Sequence, residues 1–229
     1  MNSDDIKKYA RNIGADLVGI ADLKNVEGIK TIPENLLDGY SRAISVGVRY
    51  SNGILDGIVD GPTPLYAFNH KTLNDFLDKI TLQLSSFVQE RGYRALPIPA
   101  SLILDTENFF SNVSHKAIAR AAGLGWLGKS LLLINPEIGP RFRLASLLTD
   151  MPLEPDEPMK NRCGECEECV NACPAGAIRG LSWEDIPPSR EDVLDFPRCR
   201  DLLTKEFKNM PHIGFPICGV CVKVCPWGK

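Results

Sequence analysis

The sequence predicts an α+β protein in two parts, and three observations carry that expectation. Helical and strand-like stretches alternate through residues 1–155, without the strict period of a doubly wound sheet. All eight cysteines fall between Cys163 and Cys225, and none occurs in the first 162 residues. Between the two regions lies MPLEPDEPMK (151–160), rich in proline and acid. The expected division is an α/β sandwich over 1–155 and a smaller cysteine-bearing domain over 156–229.

Each element has its own signal. Ser3 is a helix cap, with Ile6, Tyr9, Ala10 and Ile13 at helical spacing and Gly14 as the stop. LVGIA (17–21) and AISVGVRY (43–50) are strands rich in β-branched residues, joined by a loop of weak helical character. From Asn69 to Arg91, residues Leu73, Phe76, Leu77, Ile80, Leu84, Phe87 and Val88 mark one face of a long helix closed by Gly92. LPIPASLIL (96–104) is extended, and Pro97 and Pro99 keep its start at an edge. Ser114 caps a helix over 114–122 that Gly123 ends. SLLLI (130–134) and FRLASLLTD (142–150) complete the strands.

Composition narrows the function classes. With 229 residues, 44% hydrophobic and 24% charged, the chain has the make-up of a soluble globular protein. A net charge of −3 offers no basic face, so nucleic acid is not an expected partner. The polar N-terminus does not resemble a signal peptide, and no apolar run approaches the roughly 18 residues of a membrane helix. A cytoplasmic location is expected. Cysteines clustered in this way favour metal over disulfides.

Residues 123–130, GLGWLGKS, match two phosphate-binding patterns at once. Gly123 through Ser130 satisfy G-x4-G-K-S, and Gly123, Gly125 and Gly128 satisfy G-x-G-x-x-G. Both patterns need a strand before the glycines and a helix after them, because the helix amides bind the phosphate. Here a helix precedes the octet and a strand follows. Nucleotide binding is therefore not expected. What remains is a glycine-rich connection, or a loop whose small residues admit some other flat or bulky ligand.

CGECEECVNACP (163–174) has the spacing C-x2-C-x2-C-x3-C-P, the bacterial ferredoxin run. Zinc ligands usually occur as separated pairs instead. CGVCVKVCPW (218–227) repeats the pattern incompletely, with Phe215 where a further cysteine would stand and Cys199 as the only thiol left over. In such runs the fourth cysteine serves the other cluster. Cys163, Cys166, Cys169 and Cys225 are thus expected to hold one [4Fe–4S] cluster, and Cys173, Cys199, Cys218 and Cys221 the second.

LVGIA, AISVGVRY, AGLGWLGKSLLLINPEIG (122–139), LLTDMPLEPDEP (147–158), CRDLLTKE (199–206) and the two cysteine runs together resemble the epoxyqueuosine reductases and, more distantly, the reductive dehalogenases. The resemblance implies a nitroreductase-like corrinoid domain over 1–155 followed by a double [4Fe–4S] ferredoxin-like domain. It implies that Gly123, Gly125, Trp126, Leu127, Gly128, Lys129 and Ser130 lie beside a cobalamin rather than a nucleotide. It also implies a mechanism, in which the clusters pass single electrons to the corrinoid and take cob(II)alamin toward cob(I)alamin.

Two features depart from the family. Its proton-donating aspartate lies about 14 residues before the AGLGW glycine, a position occupied here by Phe109. Asp105 is the nearest carboxylate and the candidate acid, with His115 as a second candidate; His70 is a further possible ligand or pocket residue. The chain also ends three residues after Pro226, without the helical-repeat extension that full-length family members use with tRNA. The expected function is therefore that of an iron–sulfur oxidoreductase that reduces or activates a corrinoid, or removes its upper ligand. Its partners would be a corrinoid or corrinoid-dependent protein, with a reduced ferredoxin or flavoprotein as electron donor. The alternatives are an electron carrier without corrinoid and a reductase of a small substrate.

Overall fold

The computed structural model describes residues 2–228. In chain order the elements are α1 (Ser3–Asn12), β1 (Leu17–Asp22), β2 (Arg42–Arg49), α2 (Asn52–Asp56), α3 (Pro64–Gln89), β3 (Ala95–Ile98), α4 (His115–Ala121), β4 (Trp126–Leu127), β5 (Leu133–Ile134), β6 (Phe142–Thr149), α5 (Glu168–Asn171), α6 (Phe196–Asp201) and α7 (Val220–Val224). They form two compact units. The first takes the chain up to Arg49, then Leu73–Leu124 and Phe142–Met159; the second takes Tyr50–Thr72, Gly125–Arg141 and the chain from Lys160 onward. The cysteine segment thus shares its unit with two earlier stretches, 50–72 and 125–141.

The first unit is built on a four-stranded antiparallel sheet of order β1-β2-β6-β3. Its central strands β2 and β6 are buried along nearly their whole length, so they read as continuous apolar runs rather than alternating ones. Ile44 pairs with Ile20 on one side and with Leu147 on the other, and all three are fully buried. β3 lies at the sheet edge, where Pro97 is tolerated because an edge strand needs fewer backbone donors. The extended stretch expected to reach 104 ends at Ile98.

Helix α4 packs on this sheet, and α1 packs on β1. Gly19 makes the α4 contact possible: a Cβ there would run into the Ala122 carbonyl. Ser114 caps α4, its Oγ accepting from the Ala117 amide. At α1 the cap is Asn2 rather than Ser3. Asn2 Oδ1 accepts from the Asp5 amide at 3.0 Å, and Asp5 Oδ2 accepts from the Asn2 amide at 3.1 Å. Ser3 Oγ instead exchanges hydrogen bonds with both backbone groups of Glu154, tethering the helix to a distant loop. No described helix is long and apolar enough to cross a membrane.

The second unit carries little regular structure, and local devices hold it. β4 and β5 form a short antiparallel hairpin, with Trp126 opposite Ile134 and Leu127 opposite Leu133. Helix α7 is fixed through Lys223, whose Nζ donates to the Ile58 carbonyl at 2.5 Å, while Arg141 Nη2 donates to the Lys223 carbonyl at 3.2 Å. Gly219, at φ +90°, starts α7 with the Tyr66 ring against it; a Cβ there would lie 2.6 Å from Tyr66 Cε1. Only glycine satisfies both the left-handed backbone and that contact.

Candidate metal centre

The octet 123–130 does not have phosphate-loop geometry. Gly123 ends α4, its amide bonded to the Arg120 carbonyl at 3.0 Å. Trp126 and Leu127 form β4, and the chain turns through Gly128–Leu131 into β5, with the Leu131 amide bonded to the Gly128 carbonyl at 2.8 Å. No helix starts at Lys129, so no row of free amides faces a phosphate. Gly123 and Gly125 have packing roles: a Cβ on the first would lie 2.7 Å from the Glu157 carbonyl oxygen, and one on the second would strike the Ile134 carbonyl.

Gly128, Lys129 and Ser130 face something else. They line one cavity together with Ile134, Cys163, Cys166, Cys169, Cys225, Pro226 and Trp227. The first expected set of four thiols is therefore gathered in space, although Cys225 lies 56 residues beyond Cys169 in the chain. A Cβ on Gly128 would sit 3.3 Å from Cys163 Sγ and 2.8 Å from Ile134 Cγ1. This glycine keeps the approach to the first thiols open.

Asn161 positions the start of the cysteine loop, a role that the sequence reading missed. Its Oδ1 accepts from the Cys163 amide at 2.9 Å, and its Nδ2 donates to the Leu127 carbonyl at 2.8 Å. One side chain thus ties the first thiol to β4. The available signal was an Asn two residues before a ligand cysteine, a common local turn device.

The second set is gathered as well. The charges acting on Cys218 are those of Cys199 and Cys173, and Cys221 feels Cys218, Cys199, Cys169 and Cys173. Cys173 Sγ accepts from the Ala177 amide at 3.4 Å, in the turn that Gly176 closes at φ +54°. Cys199 sits on α6, which begins with Asp195 as cap and Pro197 in the first turn.

Burial pushes four of the thiols up, and their neighbours add to it. Cys169 rises to about 11 through desolvation and then through Cys163, Cys225 and Cys166. Cys218 also reaches about 11 through desolvation, with Cys199 and Cys173 adding to it. Cys221 is raised further, first by burial. Cys225 is raised by burial, and Arg141 works in the opposite direction there. Four thiolates crowded in this way need positive charge at their centre, which the iron of a cluster supplies. Among the described residues no group of three or more His, Cys, Asp or Glu closes around a single ion. A cubane suits the donor set, because it holds its four ligands apart at separate corners.

The candidate acids lie in the first unit, in environments that do not favour proton donation. Asp105 closes its own turn, accepting from the amides of Glu107 and Asn108 at 3.0 Å and from Asn108 Nδ2 at 2.9 Å. The Asn108 side chain, followed by its backbone amide, holds the carboxyl below its usual range and so keeps it ionised. His115 meets Ser146 Oγ at 2.9 Å through Nδ1 and the Pro99 carbonyl at 3.0 Å through Nε2. Burial depresses it to about 4, and the Arg143 charge adds to the effect. It is a neutral packing histidine near neutral pH. His70, in the second unit, accepts or donates at Nδ1 with the Tyr50 hydroxyl at 2.7 Å and lies beside the Tyr66 and Phe215 rings.

Comparison with known proteins matches residues 162–228 to the 4Fe-4S double cluster binding domain. The epoxyqueuosine reductase of Vibrio cholerae is 27% identical over 99% of this chain and 67% of its own length. A reductive dehalogenase whose structure is described as suggesting a mechanism for B12-dependent dehalogenation superposes with a TM-score of 0.74 at 22% identity, over 98% of this chain and 31% of the other. An epoxyqueuosine reductase solved with a modified tRNA stem loop superposes with a TM-score of 0.66 at 23% identity, over 99% of this chain and 65% of the other. The chain thus spans 31–67% of the length of these relatives. Over nearly its whole length the chain is similar to epoxyqueuosine reductases, its fold is shared with a reductive dehalogenase, and residues 162–228, which hold all eight cysteines, match the 4Fe-4S double cluster binding domain.

Proposed function

We propose that the chain passes single electrons from two [4Fe–4S] clusters to a bound corrinoid. The outcome would be reduction or activation of that corrinoid, or removal of its upper ligand. The observation that carries this is the lining of one cavity by the first four thiols together with Gly128, Lys129 and Ser130. The part of the octet that faces a ligand therefore faces the first cluster position. Electron transfer needs just such closeness between donor and acceptor. The B12 dependence described for the dehalogenase relative supports the choice of acceptor.

In this scheme Cys163, Cys166, Cys169 and Cys225 hold the first cluster and Cys173, Cys199, Cys218 and Cys221 the second. Gly128 leaves room beside Cys163, Asn161 fixes the Cys163 backbone, and Trp227 and Pro226 close one wall of the cavity. A corrinoid, when bound, supplies a metal that accepts one electron at a time. The donor would be a reduced ferredoxin or a flavoprotein. Asp105 is already committed to its turn and His115 to two partners, so neither is assigned the role of acid.

The test is anaerobic. The protein is reconstituted with iron and sulfide to about eight irons per chain, as two [4Fe–4S] clusters require, and titrated with cob(II)alamin. The expected result is a saturable change in the cobalt paramagnetic resonance signal, followed by its loss when the clusters are reduced. Two intact clusters with no response to cob(II)alamin would reject the corrinoid and leave an electron carrier.

A further inference from the structure

Lys129 combines burial with the lack of a partner. It is 7% exposed and lines the cavity of the first four thiols. Among the described residues its side chain makes no hydrogen bond or ion pair. An ammonium on the wall of that cavity lies beside whatever negative charge the four thiols carry. A backbone reason also keeps it there: the turn from β4 to β5 is fixed by the Gly128–Leu131 hydrogen bond, so residue 129 cannot easily swing away.

The compensating charge is available in the ligand set itself. A [4Fe–4S] cluster with four cysteinate ligands carries two negative charges when oxidised and three when reduced. A nearby fixed cation stabilises the trianion more than the dianion, so it raises the reduction potential. Arg141 acts on Cys225 of the first set, whereas the charges acting most strongly on Cys218 and Cys221 of the second are those of other thiols. The two positions are therefore electrostatically unequal.

We infer that Lys129 is a tuning residue that raises the reduction potential of the first cluster relative to the second, biasing the electron toward the cluster whose cavity the octet lines. The electron arrives one at a time from an external reductant, such as dithionite in vitro, and no proton need move with it. The inference rests on the ligand grouping proposed above. It goes beyond that grouping by making one non-ligand side chain set the direction of flow.

The test is a redox titration of the reconstituted full chain by paramagnetic resonance, reading both cluster signals. Lys129→Gln should lower the first cluster's reduced-to-oxidised ratio at fixed potential by about tenfold, equivalent to ~59 mV for one electron. The second cluster's midpoint should stay in place, and Lys129→Arg should restore the first. Unchanged midpoints in Lys129→Gln, with full iron content, would overturn the inference. Should the Gln variant lose the first cluster while the Arg variant keeps it, positive charge is needed to hold that cluster at all, which supports the inference in a stronger form. Loss in both variants, with the second cluster retained, would make Lys129 a packing residue and overturn it. Failure of the ligand grouping shows separately, as wild-type protein that does not bind about eight irons.

Discussion

At the scale of single residues, the site depends on what is missing as much as on what is present. Gly128 has no side chain where a methyl group would come 2.8 Å from Ile134 Cγ1 and 3.3 Å from Cys163 Sγ. A branched side chain there must displace Ile134 or the thiol. Ile134 is 2% exposed, so it has no free space into which to move. Gly128→Val should therefore lose the first cluster and keep the second, lowering iron from about eight to about four per chain. Iron and sulfide analysis of the purified variant checks this, and full iron content would show that the cavity tolerates the bulk. The cysteines themselves were legible, because the C-x2-C-x2-C-x3-C-P spacing reflects the short turns that bring thiols round one cubane. The burial of Lys129 and the bridging by Asn161 were not. Each depends on the hairpin that places residues 126–134 against the cysteine loop, and no local pattern encodes that contact.

At the scale of elements, length decided what could be read. The long helix was expected over 69–91 and occupies Pro64–Gln89, and β2 and β6 fall within one residue of their expected bounds. Sustained apolar periodicity and β-branched runs are strong signals in such segments. The hairpin was harder: β4 falls inside a glycine octet read as a loop, and the strand expected over 130–134 shrinks to Leu133–Ile134. Leu131, at φ +57°, lies in the left-handed region and cannot belong to a strand. β6 also yields a stability prediction. Leu147 is fully buried on a strand paired on both sides, so Leu147→Ala should destabilise the first unit by about 2–5 kcal/mol. Anaerobic urea unfolding followed by circular dichroism would register it as a lower midpoint. Because the cysteines belong to the second unit, iron content should be unchanged.

At the scale of the whole molecule, the cysteine pattern and the grouping of the thiols make different cluster partners testable. A linear division would give one cluster to the first run, Cys163 to Cys173, and the other to Cys199, Cys218, Cys221 and Cys225. The structure gathers Cys225 with Cys163, Cys166 and Cys169 in one cavity, and sets the charges of Cys173 and Cys199 on Cys218. Cys169 of the first set also acts on Cys221 of the second, as expected of ligands at the facing corners of neighbouring clusters. Crossed ligation has a structural consequence: neither cysteine run can hold a cluster alone, so the two ends of the 163–225 segment close on each other when iron binds. The variants that separate the two divisions are Cys173→Ser and Cys225→Ser. Under crossed ligation, Cys225→Ser should abolish or alter the same paramagnetic signal as Cys169→Ser, and Cys173→Ser the same signal as Cys221→Ser. Under linear ligation the pairs exchange, and Cys173→Ser would match Cys169→Ser. Spectra of the four reduced variants, each normalised to its iron content, decide between the two. The crossed outcome is expected because the turn after Cys173, closed by Gly176 and the amide bond to its sulfur, carries that thiol away from the cavity of the first three.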